Sequence, residues 1–324
     1  TDTSTDETVA EESSESLDAP ATTVATESPS GQKTGETFTM LMPALPSNAD
    51  FAVYQGTAST AVAAVWAGTI LEFKAQDDPS IQPGIDDVQC FICESFTADS
   101  DGNITVVLPD GLKSAYGNEI SSDDVLYTFE RVLANDFVFR FLMGVGSWNT
   151  ENPITKVDDK TFIVNVTNNV PFTLGTLAWY SGSILDATEV KSHATDEDPW
   201  AKEWMAGNSA TYGPYHLSSF SSGENATLSL NPGWNKFVPT YSDVVITAVP
   251  DSATRLQAML TGAADYTFKV DYDQLASAEG NSAVEITEAL ESRSVELHLN
   301  FADEKFADKK VRQAINYAID RDAI

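Results

Sequence analysis

The chain has 324 residues, 42% hydrophobic and 10% aromatic, a globular composition long enough for two lobes rather than one core. Eighteen Lys and Arg against 49 Asp and Glu give a formal net charge of −31, which repels phosphate backbones and anionic headgroups and argues against nucleic acid as a partner. So acidic a surface suits a salty or extracytoplasmic setting, where ions screen its self-repulsion. No run reaches the roughly 18 apolar residues of a membrane span. The opening TDTSTDET, with neither Met nor a basic region, does not read as a signal peptide.

Residues 1–35 hold no aromatic residue and one base, Lys33, too little apolar area to offset chain entropy, so they are expected to be a disordered acidic tether. In GETFTMLMPAL, Phe38, Met40 and Met42 alternate as in a strand. STAVAAVWAGTILEF reads as a helix with Val62, Val65, Trp66 and Ile70 on one side. In ESFTADSDGNITVVLPDG, Asp99, Asp101, Gly102 and Asn103 supply turn chemistry ahead of the alternating Ile104, Val106 and Leu108. The run lacks the downstream Glu of a calcium loop, so a hairpin turn is expected. ISSDDVLYTFERVLA predicts a helix capped by Ser121 or Ser122, with Val125, Phe129, Val132 and Leu133 as its stripe. KTFIVNV and ATLSLNPGWN read as strands, the second ending in a Pro-Gly turn. SDVVITAVPDSATRLQAMLTGAADYTF reads as strand, helix capped by Asp251 and stopped by Gly262, then strand. SVELHLNF alternates Val295, Leu297, Leu299 and Phe301 as in a strand. In FADKKVRQAINYAIDRDAI, Asp308 is a helix N-cap and Val311, Ala314, Ile315, Ala318 and Ile319 form an apolar stripe. No Gly or Pro interrupts it, so a helix over 308–324 is expected, with no following partner for that face. Strands and helices interleave, so the class is α/β with mixed sheets.

Catalytic signatures are missing. There is no G-x-S-x-G, H-E-x-x-H or P-loop lysine, and His193, His216 and His298 are far apart in sequence. Adjacent carboxylates such as Asp77/Asp78, Asp86/Asp87 and Asp158/Asp159 are expected by chance among 49 acids. Cys90 and Cys93 have no neighbouring histidine to complete a metal site, and read as two half-buried thiols or a local disulfide. No metal or cofactor is expected. The sequons at Asn103, Asn165 and Asn225 fit chance in a Thr-rich chain. Trp148, Trp179, Tyr180, Trp200, Trp204, Tyr212 and Tyr215 fall in irregular stretches, where rings either line a ligand cleft or pin connections to the core.

Four segments, in order, resemble the family 5 extracellular solute-binding proteins, the peptide- and nickel-binding components of ABC importers. ISSDDVLYTFERVL resembles the T-A-x-D-V-x-Y-S helix, and TYGPYHLSSFSSGENATLSLNPGWN the G-T-G-P-Y segment with its strand and N-x-x-Y/W turn. VITAVPDSATRLQAMLTGAADYTF resembles the x-P-D, helix, G-x-x-D unit. FADKKVRQAINYAIDRDAI resembles F-D-x-x-V-R-x-A-x-x-x-A-I-D-R. The matches run from about residue 37 onward. Tyr212 stands where Gly or Thr is the family's residue, and the Cys90–Cys93 region fits the P-x-L-A-x-S-W stretch poorly.

The resemblance implies a two-lobed periplasmic-binding-protein type II fold with mixed sheets, its second lobe incomplete. Residues 36–58 and 178–268 would form the first lobe, 59–177 its inserted subdomain, and 269–324 the start of a second lobe that family members continue. It implies capture of a small solute, an oligopeptide first, and delivery to ABC permease subunits at the periplasmic or extracellular face of the membrane. The membrane would be reached only through a lipid anchor preceding residues 1–35. Ligand-facing positions matching the family's cleft edges are Gln55, Gly56 and Thr57 after the first strand, Phe268 and Lys269 after the G-x-x-D unit, and Arg293 and Ser294 before SVELHLNF. Lys269 and Arg293 are cations suited to a ligand carboxylate. The rival expectations are a secreted hydrolase and a ligand-binding sensor module on the same fold.

Overall fold

A computed structural model describes residues 36–53, 65–78, 80–288 and 296–321. The tether expected over residues 1–35 lies outside them. The described chain falls into two compact units. One takes the residues up to Ala75 and from Pro83 to Ile286; the other takes Gln76–Gln82 and the residues from Thr287 on.

Eleven strands are described: β1 (Thr37–Met42), β2 (Leu71–Phe73), β3 (Val88–Cys90), β4 (Ser95–Ala98), β5 (Ile104–Val107), β6 (Ile154–Lys156), β7 (Thr161–Val164), β8 (Tyr215–Ser221), β9 (Asn225–Leu230), β10 (Asp243–Ala248) and β11 (Tyr266–Thr267). The helices are α1 (Ser122–Ala134), α2 (Val138–Val145), α3 (Phe172–Ala178), α4 (Ala187–Ser192), α5 (Lys202–Met205), α6 (Ser252–Leu260), α7 (Tyr272–Leu275), α8 (Glu304–Ala307) and α9 (Lys309–Ala318). All but α8 and α9 belong to the first unit.

Its larger sheet has the order β11-β1-β10-β9-β8. β1 is parallel to both β10 and β11, while β9 and β8 continue the sheet antiparallel. The register sets Phe38, Met40 and Met42 beside Val244, Ile246 and Ala248. With Ala226 and Leu228 they form the face turned to the core, and Met42, Ile246, Ala226 and Leu228 are fully buried. A second, antiparallel sheet has the order β4-β5-β7-β6. The β4–β5 hairpin forms where the D-x-D-G-N run predicts a turn. Asp99 Oδ1 accepts from the amides of Asp101 and Asn103, both at 2.9 Å, and Gly102 takes φ +88°. Helix α1 starts at Ser121, whose side chain pairs with Asp124 in a capping box, and it buries Val125, Phe129 and Val132.

The helix expected through STAVAAVWAGTILEF does not reach its predicted end. Residues 54–64 lie outside the described residues; Val65 and Trp66 are helical, and Leu71–Phe73 is strand β2 instead. Gly68 is the cause: it adopts φ +43°, and a Cβ there would stand 2.6 Å from the Gly213 nitrogen. Only glycine permits that crossing, and the chain leaves it extended and pairs with β3.

Cys90 and Cys93 form a disulfide, with Cα atoms 5.1 Å apart. It closes the turn after β3. Ile92 is sealed in the core, while Phe91 packs on Trp234 and Phe237 with centroids 5.4 and 6.4 Å away. Lys236 donates to the Cys93 carbonyl at 2.8 Å, and partial desolvation there holds its pKa below the usual lysine value. Closing so short a loop restricts the unfolded chain by about 2 kcal/mol. Replacing both cysteines by alanine should lower unfolding stability by that amount in a urea titration, and dithiothreitol should do the same to the unaltered protein.

In the second unit Asp308 caps α9, accepting from the Lys310 amide at 2.8 Å. The helix stops at Ala318 rather than running through 324, and Ile319 is extended. Arg321 donates to the carbonyl and side-chain oxygens of Asn316, taking a carbonyl of the last turn and ending the helix without Gly or Pro. Val311 and Tyr317 are exposed on it. The strand expected at SVELHLNF does not form over residues 296–300, and Leu297 and Phe301 are exposed. Alternation marks which face a strand would bury, but a strand also needs a neighbour to pair with. This unit contains no other strand among the described residues.

Candidate functional site at the carboxyl edge of the parallel strands

Because β11, β1 and β10 are parallel, their carboxyl ends share one edge of the sheet: Met42 sits beside Ala248, and Leu41 beside Thr267. In open α/β sheets that edge is where connections diverge and ligands are held. The x-P-D, helix, G-x-x-D unit builds it. Asp251 caps α6, accepting from the Thr254 amide at 2.8 Å and from its hydroxyl. These bonds hold the Asp251 carboxyl below the usual aspartate pKa. Gly262 (φ +71°) ends the helix, and Asp265 then docks on β1, where Oδ2 accepts from the Thr39 amide at 2.7 Å.

One buried side chain ties the edge together. Arg255, on α6, is 2% exposed. Its Nη1 donates to the carbonyls of Val249 (2.7 Å) and Pro250 (2.8 Å), Nη2 to that of Lys269 (2.7 Å), and Nε to Thr267 Oγ1 (3.2 Å). Thr267 Oγ1 donates onward to the Leu41 carbonyl at 2.9 Å. The exits of all three strands are therefore linked through one guanidinium, whose planar fork matches several oxygens at once.

Two of the sequence-predicted site residues lie here. Phe268 joins Phe38, Met40, Met42 and Tyr266 in lining an open apolar hollow of about 290 Å³. Lys269 follows it, exposed, with φ +56° and its ammonium 5.5 Å from the Phe268 ring centroid. Gln55, Gly56, Thr57, Arg293 and Ser294 lie outside the described residues. Arg255 escaped the sequence reading, and its only signal was its place beside Leu256 on the buried side of α6.

Six of the seven loop aromatics are buried or half-buried. Trp148 is buried against Phe129 (4.8 Å) and donates to Thr176 Oγ1 at 2.9 Å. Trp200 packs on Tyr127, Trp204 stacks on His193 at 4.1 Å, and Tyr215 donates to the Tyr241 carbonyl. Tyr180 and Tyr212 are buried. Trp179, 47% exposed, is the exception. Among the described residues no group of three or more His, Cys, Asp or Glu side chains is placed to hold a metal ion.

Residues 88–324 match the family model described as bacterial extracellular solute-binding proteins, family 5 Middle. The chain is 27% identical over 255 residues to the probable D,D-dipeptide-binding periplasmic protein DdpA of Escherichia coli K12, covering 78% of this chain and 46% of that protein. It is 26% identical over 238 residues to the glutathione-binding protein GsiB of Shigella boydii, covering 72% and 44%. The chain thus spans about half the length of these relatives. Its fold matches the periplasmic binding protein DppA of Helicobacter pylori, solved with the peptide STSA, at TM-score 0.72 and 21% identity, over 90% of this chain and 58% of that one. It also matches MoaA of A. tumefaciens R10, solved with mannopinic acid, at TM-score 0.69 and 17% identity, over 89% and 56%. The α/β architecture with mixed sheets is that of the type II periplasmic binding proteins. The chain belongs to the family 5 bacterial extracellular solute-binding proteins.

Proposed function

We propose that this chain is part of an extracytoplasmic solute-binding protein that captures a small solute, an oligopeptide first, between two lobes and delivers it to the permease of an ABC importer. The observation that carries this reading is the family match over residues 88–324, together with relatives named for dipeptide and glutathione binding. Residues 36–58 and 178–268 would form the first lobe, 59–177 its insertion, and 269–324 the start of the second. Gln55, Gly56, Thr57, Phe268, Lys269, Arg293 and Ser294 would face the ligand. Closure of the lobes buries the solute, and the closed form is what the permease recognises. No bond is made or broken, so the protein is not an enzyme, and a lipid anchor ahead of the acidic tether holds it at the membrane.

Thermal shift of the full-length protein with a panel of di- to pentapeptides tests this. A peptide at 100 times its Kd adds about 2.7 kcal/mol of stability. Absence of a shift with every peptide overturns the peptide reading, and release of new amino termini from a bound peptide overturns the non-enzymatic one.

A further inference from the structure

We infer that Asp124 and Asp186 form a buried proton-binding site, in which Asp124 takes up the proton, and that the joint they make is firmer in mildly acidic solution than in neutral solution. The two carboxylates are 4% and 0% exposed. They meet at the start of α4. Asp124 Oδ1 accepts from the Ala187 amide at 2.8 Å, and Asp186, the N-cap of that helix, accepts from the Glu189 amide at 3.0 Å. Their other bonds draw α1 and the loop before it onto the same point. Ser121 donates to Asp124 Oδ2 through its amide (2.8 Å) and its hydroxyl (2.9 Å), while Ser114 and Asn118 donate to Asp186 Oδ2. The bonds to Ala187, Ser114 and Asn118 span 63, 72 and 68 residues of chain, so the pair is a joint between distant segments. By the proposed boundaries it fastens the insertion, which holds α1, to the first lobe, which holds α4.

All of these donors are neutral. The cations on the elements packed against α1 are engaged elsewhere. Lys156 of β6 holds Asp123 and Asp159 at 2.9 and 2.8 Å. On α4, Lys191 lies over the Tyr127 ring, and His193 at the end of the helix pairs with Glu189. Arg140 of α2 pairs with Asp136, and Arg131, further along α1, with Asp50. Lys113, beside Ser114, is exposed and acts on Glu119. Burial, with Glu189 and Asp186 near it, pushes the Tyr116 phenol up and keeps it neutral. Two like charges without a counter-ion in a low-dielectric interior repel, and neutralising one relieves both the repulsion and the desolvation. Burial foremost, with Asp186 adding to it, lifts the Asp124 carboxyl above the usual aspartate range against the pull of its bonds to Ala187 and Ser121.

Tyr212 marks the site from the other side. It is fully buried, its hydroxyl faces both carboxylates, and that hydroxyl closes no hydrogen bond. Burial and the two carboxylates push the phenol up, so it stays neutral and brings no charge to either acid. The proton has a place on Asp124 Oδ2, from which it is donated to Ser121 Oγ, 2.9 Å away. An aspartate in the unfolded chain titrates near about 3.9. Since the folded Asp124 titrates higher, folding takes up a proton above that value. The stabilisation is therefore present at acid pH and is lost as pH rises through the folded titration.

The test follows isotope-labelled aspartate carboxyls of the full-length protein by NMR from acid to neutral pH, beside urea unfolding over the same range. One carboxyl should titrate above about 3.9, the ordinary aspartate value, and its signal should vanish in Asp124→Asn. Asp186→Asn should lower that midpoint without restoring the ordinary one, because burial is the larger cause, and it identifies the signal if Asp124→Asn does not fold. In urea, Asp124→Asn should gain on the unaltered protein as pH rises, since its side chain cannot charge. A merely structural aspartate would cost the same at every pH. The inference is overturned if no aspartate of the unaltered protein titrates above the ordinary value, or if the raised signal survives Asp124→Asn or is unmoved by Asp186→Asn. A stability gap that does not change with pH overturns it as well.

Discussion

Asp50→Ala is expected to destabilise the first unit by about 3–5 kcal/mol, because it strips a buried guanidinium of its counter-charge. Asp50 and Arg131 are 1% and 0% exposed, and Asp50 Oδ2 lies 2.6 Å from Arg131 Nη2. The pair is held from both sides. Asp50 Oδ1 accepts from the Ala52 amide at 3.0 Å, while Arg131 Nε donates to the Trp200 carbonyl at 2.9 Å and the guanidinium lies 5.0 Å from the Phe137 ring centroid. Water cannot replace the lost carboxylate without opening the core. The exposed pairs Lys156–Asp123 and Lys160–Glu119 have no such leverage, since solvent screens them. Urea unfolding of Asp50→Ala gives the magnitude, and a loss below about 1 kcal/mol would show the pair to be solvated. Replacing both partners together, Asp50→Leu with Arg131→Met, should recover most of the loss, because an apolar pair leaves no unpaired guanidinium buried.

What the sequence made legible was whatever is decided within a few residues. The helix cap at Ser121, the Asp99 hairpin turn, the Asp251 cap and the Gly262 stop each depend on residues close together in the chain, and each forms where the sequence places it. The two buried arginines were opaque for the opposite reason. Arg131 finds Asp50 and Trp200 at separations of 81 and 69 residues. Three of the four Arg255 bonds go to main-chain carbonyls, which every residue carries and no side chain advertises. An arginine on a helix is ordinarily solvated, and nothing in a hydrophobic pattern marks the one that is not. The β2 strand was missed because TILEF is apolar enough for either period, and the deciding feature, Gly68, acts through a segment 145 residues away. At the candidate site the family pattern carried Phe268 and Lys269 to the strand edge, but not the clamp beneath them.

A large effect of a single added methyl is expected at Gly213, the glycine of the G-P-Y motif. A Cβ there would lie 2.4 Å from the Trp66 carbonyl oxygen and 3.0 Å from the Gly68 nitrogen. Both obstacles are backbone, so no side chain can swing aside to make room. Nor can the two segments easily part. Thr211 Oγ1 donates to the Trp66 carbonyl at 2.6 Å, and Asn231 Nδ2 donates to the carbonyls of Gly213 and Lys113, each at 2.9 Å. Overpacking of an adaptable core costs about 1–3 kcal/mol, so Gly213→Ala should cost about 3 kcal/mol or more. Trp66→Ala, at a fully buried indole beside the same crossing, should cost about 3–5 kcal/mol through the cavity it leaves. The two losses differ in kind, and a double-mutant cycle of Gly213 with Gly68 tests the crossing itself. Gly68→Ala breaks the same backbone contact as Gly213→Ala and adds strain at φ +43°, so the pair together should cost clearly less than the sum of the two. Strict additivity would show the chains already apart at this point, and the crossing would then not be what holds β2 in place.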